Sequence, residues 1–218
     1  MKKIILSAAA LLLMTVACKK AEDKAIDTTT PTTDTTAIST EETPSAPMDS
    51  VAMMKAWKAY ATPGTIHKML ADDNGKWDEE MTMYMGPDDT KPMKTKMSAE
   101  SKMVLGGRYQ HTTHTGMMMG QPFEGIGTVA YNNASKKIES TWTDNMGTGI
   151  MFMSGTYDEA SKTMELKGEC TDPMTGKVKP ARETFQIVDA NTRKMEMFDV
   201  TPEGKEYKSM EIVMTRKK

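Results

Sequence analysis

The chain has 218 residues, enough for one domain with appendages or for two very small domains. Its 28 basic and 30 acidic residues are interspersed and give a formal charge of −2, so no basic stripe exists to neutralise phosphates, and nucleic-acid partners are excluded. Methionine is over-used, with 24 residues against three leucines after residue 17, so it has to serve as the general hydrophobe.

Lys2 and Lys3 precede an apolar stretch from Ile4 to Val16. That stretch is too short to cross a hydrocarbon core of about 30 Å and reads as the leader of an exported chain, residues 1–17. Thr15-Val16-Ala17-Cys18 resembles the lipobox of bacterial lipoproteins, with Thr where Leu is usual. This predicts cleavage before Cys18 and lipid attachment to its thiol. Loss of the leader removes Lys2 and Lys3, leaving 26 basic residues against 30 acids, a charge near −4. Lys19 follows the cysteine where an Asp would signal inner-membrane retention, so the expected location is the outer membrane, facing either side. A lipidated Cys18 cannot form a disulfide, which leaves Cys170 as a small core residue in a fold without a staple.

Residues 18–48 form a tether whose Thr/Pro-rich composition buries too little to offset its ordering entropy. A flexible coil of roughly 30 residues reaches on the order of 30 Å. Within and just after it, the segments beginning at Asp27, Asp34 and Asp49 resemble an Asp-Ser/Thr-apolar pattern for O-glycosylation, which marks Thr28, Thr35 and Ser50 as candidates.

The remaining residues, 49–218, make one domain. Asp49 to Tyr60 has a helical stripe of Val51, Met53, Met54 and Trp57, with Asp49 or Ser50 as the cap. A second short helix follows Pro63 and carries His67, Met69 and Leu70 to the breaker Asn74-Gly75. From Trp77 the apolar period becomes two. Strands are expected over Trp77 to Met85, Lys91 to Ser98, Met103 to Thr115, Phe123 to Tyr131 and Lys137 to Asp144. Five more follow over Gly149 to Tyr157, Met164 to Thr171, Lys179 to Asp189, Arg193 to Val200 and Lys205 to Arg216. The gaps are too short for parallel crossovers, so the class is mainly β: an antiparallel up-and-down meander. Such a meander closes to remove its edges, giving a barrel of nine or ten strands with short N-terminal helices. Gly125, Gly127, Gly149, Gly155 and Gly168 fall in or beside strands and are expected to mark bends or bulges.

From Pro63 to Arg216 the chain resembles DUF1579, a family of uncharacterised bacterial proteins. The carriers are His67-x-x-Leu70, Gly75-x-Trp77, Gly106-Gly107-Arg108-Tyr109, Gly120-x-Pro122-Phe123-Glu124-Gly125 and Thr141-Trp142-x-Asp144-x-x-Gly147-Thr148-Gly149. Asp172-Pro173-x-Thr175-Gly176, Arg182, Glu206, Glu211-Ile212 and Thr215-Arg216 complete them. The resemblance implies a lipocalin-like β fold and no particular activity. Ala130 and Asn132 depart from the family's Gly-Tyr-Asp around Tyr131.

Two constellations could carry function. Arg108, Glu124, Trp142, Asp144, Arg182, Glu211 and Arg216 are family-matching polar or aromatic residues in strands, and are the candidates to line a ligand pocket. The opposing reading makes them ion pairs at the barrel ends or solvated positions. His111, His114, Met117 and Met119 are candidate soft-metal ligands for Cu(I), although His111 and His114 fall on opposite faces of a strand. No nucleophile elbow, phosphate loop or zinc motif is present, so no catalytic residue and no cofactor is predicted. The leading reading is a membrane-anchored lipoprotein whose barrel binds a small, largely apolar ligand without catalysis. The next is a structural or interaction module of the cell envelope without a ligand, and the third is Met/His-based copper binding.

Overall fold

The computed structural model describes residues 49–218; the leader 1–17, Cys18 and the tether with Thr28 and Thr35 lie outside them. Two helices, α1 (Ser50–Ala61) and α2 (Thr65–Ala71), precede ten strands. These are β1 (Gly75–Met83), β2 (Met93–Val104), β3 (Tyr109–Met118), β4 (Gln121–Asn132) and β5 (Lys137–Asp144). They continue with β6 (Met151–Asp158), β7 (Thr163–Thr171), β8 (Val178–Ile187), β9 (Thr192–Val200) and β10 (Glu206–Arg216). Each strand pairs antiparallel with the next, and β1 pairs with β10, so the sheet closes into a barrel and no strand keeps an open edge. Among the described residues no helix is long and apolar enough to cross a membrane.

Most strands lie within a few residues of their expected positions, and one expectation is corrected. Met103 to Thr115 is not a single strand. The chain reverses between Val104 and Tyr109, where Leu105, Gly106 and Gly107 take φ of 49°, 70° and 79°. Glycine adopts that left-handed backbone at little cost. The Val104 carbonyl accepts from both Gly107 N and Arg108 N, closing the turn.

The in-strand glycines serve closeness more than bending. A side chain at Gly155 would overlap the Glu165 carbonyl, and one at Gly168 the Phe152 carbonyl, so β6 and β7 owe their tight approach to both. Gly149 lies outside the strands, in the β5–β6 connection. The register shift in the β9–β10 pairing falls between Lys208 and Met210, with no glycine involved.

α2 plugs one end of the barrel. Leu70 is fully buried and packs with Ile138, Met153, Met164 and Leu166. His67 accepts at Nδ1 from Gly64 N (3.0 Å), which fastens the start of the helix. A helix leaves its last carbonyls unpaired, and here barrel side chains take up those at and just beyond its end. Gln110 Nε2 donates to Leu70 O (2.8 Å), Trp77 Nε1 to Asp73 O (2.9 Å), and Arg216 to Asp72 O and Asn74 O (2.6 and 2.8 Å). The Asp73 carboxylate pairs with buried Arg193, whose Nε and Nη2 each lie 2.7 Å from Oδ1. Arg216 and Arg193 stack over Trp77 at 4.2 and 5.1 Å from ring centre to Cζ.

α1 behaves otherwise. Asp49 caps it, accepting from Val51 N, and Asn133 from the β4–β5 turn donates to the carbonyls of Ala59, Tyr60 and Thr62. None of its residues is buried, so its helical stripe is not a core stripe; Val51 is 72% exposed and Trp57 63%. Ser50 occupies its first position and is exposed.

Removing one partner of a buried ion pair strands the other charge, whereas replacing both does not. Arg193→Met is expected to cost about 3–5 kcal/mol in denaturant unfolding. The double variant Asp73→Asn/Arg193→Met should recover most of that loss. Equal losses in single and double variants would contradict the pairing.

Candidate functional site

Alternation along closed strands sends every second side chain into one interior, and this interior is incompletely filled. A cavity of about 330 Å³ remains. Methionine dominates its wall, through Met81, Met97, Met118, Met146, Met151, Met195, Met197, Met210 and Met214, together with Phe123, Trp142 and Phe185. Thioether side chains are flexible and polarisable, so such a wall adapts to varied apolar shapes. Met146 lines the cavity yet is half exposed, which places the mouth at the β5–β6 connection, opposite the α2 plug.

The indole of Trp142 lies flat against β4 because that strand has no side chains beneath it. A Cβ on Gly125 would sit 2.5 Å from Trp142 Cζ2, and one on Gly127 3.6 Å from Cε3. The two glycines therefore form the seat of an aromatic wall. Phe123 stacks alongside, with centroids 6.4 Å apart and planes 20° apart, and the His114 ring approaches Trp142 edge-on at 5.1 Å. Trp142 Nε1 donates to Asp144 Oδ2 (2.7 Å), while Asp144 Oδ1 accepts from Met146 N (2.9 Å). One carboxylate thus orients the indole and tethers the mouth.

Four carboxyl groups face the cavity, and three have partners. Asp73 holds Arg193; burial raises its pKa, and the Arg193 guanidinium opposes that rise. Glu79, whose side chain is fully buried, has His114 Nδ1 at 3.0 and 3.2 Å from its two oxygens. Asp144 holds Trp142. The fourth, Glu183 on β8, receives no hydrogen bond among the described residues. Its cross-strand neighbours are Leu166 on β7 and Met197 on β9. Its carboxyl surface is open to the cavity, and loss of bulk water raises its pKa to about 7. Ser101 and Thr112 satisfy one another across β2 and β3 at 2.7 Å.

Of the residues marked as pocket candidates from sequence, Trp142 and Asp144 line the cavity. Arg108 is exposed in the β2–β3 turn, donating to Leu105 O, and Glu124 points outward from β4. Arg182 is on the outer face of β8, paired with Glu206 and stacked on Phe198 at 3.7 Å. Glu211 lies outside on β10 in a network with Lys194, Lys208 and Glu196. Arg216 shares the inner parity of Met214 but closes the plugged end instead of reaching the cavity. Arg182 and Glu211 serve external pairs, Arg216 seals the plugged end, and Arg108 and Glu124 are exposed.

The metal candidates are not gathered. His111 faces outward beside Thr128 (3.5 Å), His114 faces inward, and Met117 and Met119 are exposed. Among the described residues no cluster of three His, Cys, Asp or Glu side chains could hold a metal ion. Cys170 is half-buried at the inner side of β7, and burial raises its thiol pKa, which disfavours the reactive thiolate. Glu79 and Glu183 were missed as site residues although each has the inward parity of its strand, set by Trp77 and Met81 in β1 and by Ala181 and Phe185 in β8.

The Glu183 pKa gives a pH-dependent expectation. With the folded value near 7 and the ordinary value at 4.5, ionising this group destabilises the fold. The penalty is absent below about pH 4.5 and complete above about pH 7, reaching roughly 3 kcal/mol. Glu183→Gln should therefore raise stability relative to the parent more at pH 8 than at pH 5. An equal difference at both pH values would contradict the site's electrostatics.

Rv2717c from M. tuberculosis superposes with a TM-score of 0.53 at 13% identity, covering 72% of this chain and 100% of that one, a likeness of fold alone. A redesigned β-barrel aligns at 13% identity over 68% of this chain and 95% of its own, with a TM-score of 0.37. No curated protein matches the chain. The family model of DUF1579, a protein family of unknown function, matches residues 62–216. With this match over most of its length, the chain belongs to the DUF1579 family.

Proposed function

We propose that the protein is a lipid-anchored envelope protein whose barrel binds a small, largely apolar molecule without transforming it. The observation that carries the binding reading is the cavity, about 330 Å³ walled by methionines and aromatic rings inside a closed barrel and stopped at one end by α2. Volume, apolar lining and a few placed polar groups are the usual attributes of a small-molecule site. Three of the four carboxyl groups inside are committed to structural partners, Glu79 to His114, Asp144 to Trp142 and Asp73 to Arg193. The fourth, Glu183, has the apolar Leu166, Met197 and Phe185 beside it and no second acid, base or nucleophile among the described residues. That arrangement favours holding a ligand over chemistry on it. The anchoring half of the reading is supported by the lipobox-like Thr15-Val16-Ala17-Cys18 and by the Thr/Pro-rich residues that follow, and the absence of an Asp after Cys18, where Lys19 stands, supports the outer membrane over the inner.

A second reading, an interaction module of the envelope, is favoured by the exposed apolar side of α1, with Met54, Trp57 and Tyr60. Crosslinking at α1 to one recurrent envelope protein, with no small molecule co-purifying, would favour it.

Binding to the native state raises stability by mass action. The full-length chain should be stabilised by 1-ethylnaphthalene, by about 3 kcal/mol at a hundredfold excess over Kd. No gain up to the probe's solubility limit would contradict the cavity reading. For the anchor, metabolic labelling with a fatty acid should mark the parent chain and not Cys18→Ala; equal labelling of both would contradict attachment at Cys18.

A further inference from the structure

Glu183 is the cavity acceptor that the fold leaves unanswered. Its strand neighbours Leu166 and Met197 offer no donor, and Phe185, next on the same face, offers none. An unpartnered carboxyl in such surroundings is unfavourable for the empty protein, and a ligand that supplies a donor relieves it.

The charge of the whole interior decides what kind of donor fits. Asp73, Glu79, Asp144 and Glu183 face Arg193 and His114 across the cavity. Even with His114 protonated the balance is acidic. Arg193 is committed to Asp73 and to the carbonyls of Asp189 and Thr192, so a carboxylate or phosphate ligand meets no free cation among the described residues of the wall. A cation finds a free carboxylate and also aromatic faces. The Trp77 ring is already covered by Arg193 and Arg216, whereas no Arg or Lys of the described residues lies over Phe123, Trp142 or Phe185.

We propose that the barrel selects a ring-bearing apolar molecule carrying one ammonium- or amidinium-type cation, with the Glu183 carboxylate as its partner and the methionine and aromatic wall around its apolar part. This rests on the cavity-binding reading and narrows it to a ligand class. Glu183 acts as a switch on affinity: binding strengthens as pH rises and the carboxyl ionises. Glu79, His114, Asp73, Arg193 and Asp144, the other charged or titratable groups facing the same space, stay in their pairs or hydrogen bonds.

The test compares three probes of one shape on the full-length chain: 1-naphthylmethylamine, 1-ethylnaphthalene and 1-naphthylacetate. The amine should bind at least tenfold tighter than the neutral probe at pH 8, and the acetate most weakly. The amine's advantage should shrink from pH 8 to pH 5. Glu183→Gln should abolish both the advantage and its pH dependence. Cooperative denaturant unfolding of the variant reports that it is folded, and Glu183→Asp should keep part of the preference. Equal binding of amine and neutral probe by the parent would overturn the inference and leave the cavity reading standing. A preference that survives in Glu183→Gln would overturn the role of Glu183. Binding of none of the three would overturn the cavity reading, and the ligand class with it.

Discussion

The pairing of β1 with β10 is the constraint on which the rest of the structure depends. Residues more than a hundred positions apart meet there in fixed register, from Trp77 opposite Arg216 to Met83 opposite Met210. Strand parity is binary, so this seam commits Trp77, Glu79 and Met81 to the same interior as Ile212 and Met214. Without it, both strands would present unpaired backbone, and the carboxyl groups of the interior would be wetted from the side. With it, paired backbone shields them along the seam. The desolvation of Glu183 and the tight pairing of Glu79 with His114 both follow from closure.

The two ends of the barrel are built differently. At the α2 end, arginine, tryptophan and glutamine side chains take up the backbone carbonyls of the plug, and the helix terminus becomes part of the wall. At the other end Asp144 joins Trp142 to the β5–β6 connection, and the lining is mostly methionine. One end is fixed by hydrogen bonds with defined geometry, while the other is walled by side chains that repack easily. A binding barrel benefits from that asymmetry, since a rigid floor holds the strands while a pliant wall accepts the ligand. The outer face of β9 and β10 has its own balance. Glu196 and Glu211 stand directly opposite across the strands, and Lys194 and Lys208 between them offset the repulsion.

Much of the fold was legible because period-two alternation and short turns leave little choice but an antiparallel meander. The Leu105–Arg108 reversal was hidden inside an apolar run, although Gly106-Gly107 was its signal. The site was less legible. Trp142 and Asp144 share a parity and could be read together. Arg182 and Glu211 have the outer parity, and their family match said nothing of which side they face. Glu183 was readable in principle, being in phase with Phe185, but it sits in the polar run Arg182-Glu183-Thr184, where the eye takes the whole segment as solvated. The inward set of β3 opens with the polar Gln110, Thr112 and His114 and reaches a large apolar side chain only at Met118, so its parity was weakly marked. The pair of Asp73 with Arg193 spans 120 positions and exists only after closure. The helical stripe of α1 marked a helix that is present, but amphipathic spacing describes a face without naming what covers it.

Closure is most directly tested by amide hydrogen exchange along the seam in the full-length chain. Amides in the middle of β1 and β10, around Met81 and Ile212, should exchange as slowly as those of central strands such as β3 and β4, opening only with global unfolding. Exchange at the seam faster by orders of magnitude than in β3 and β4 would mean an open edge, and an interior that is a groove instead of a cavity.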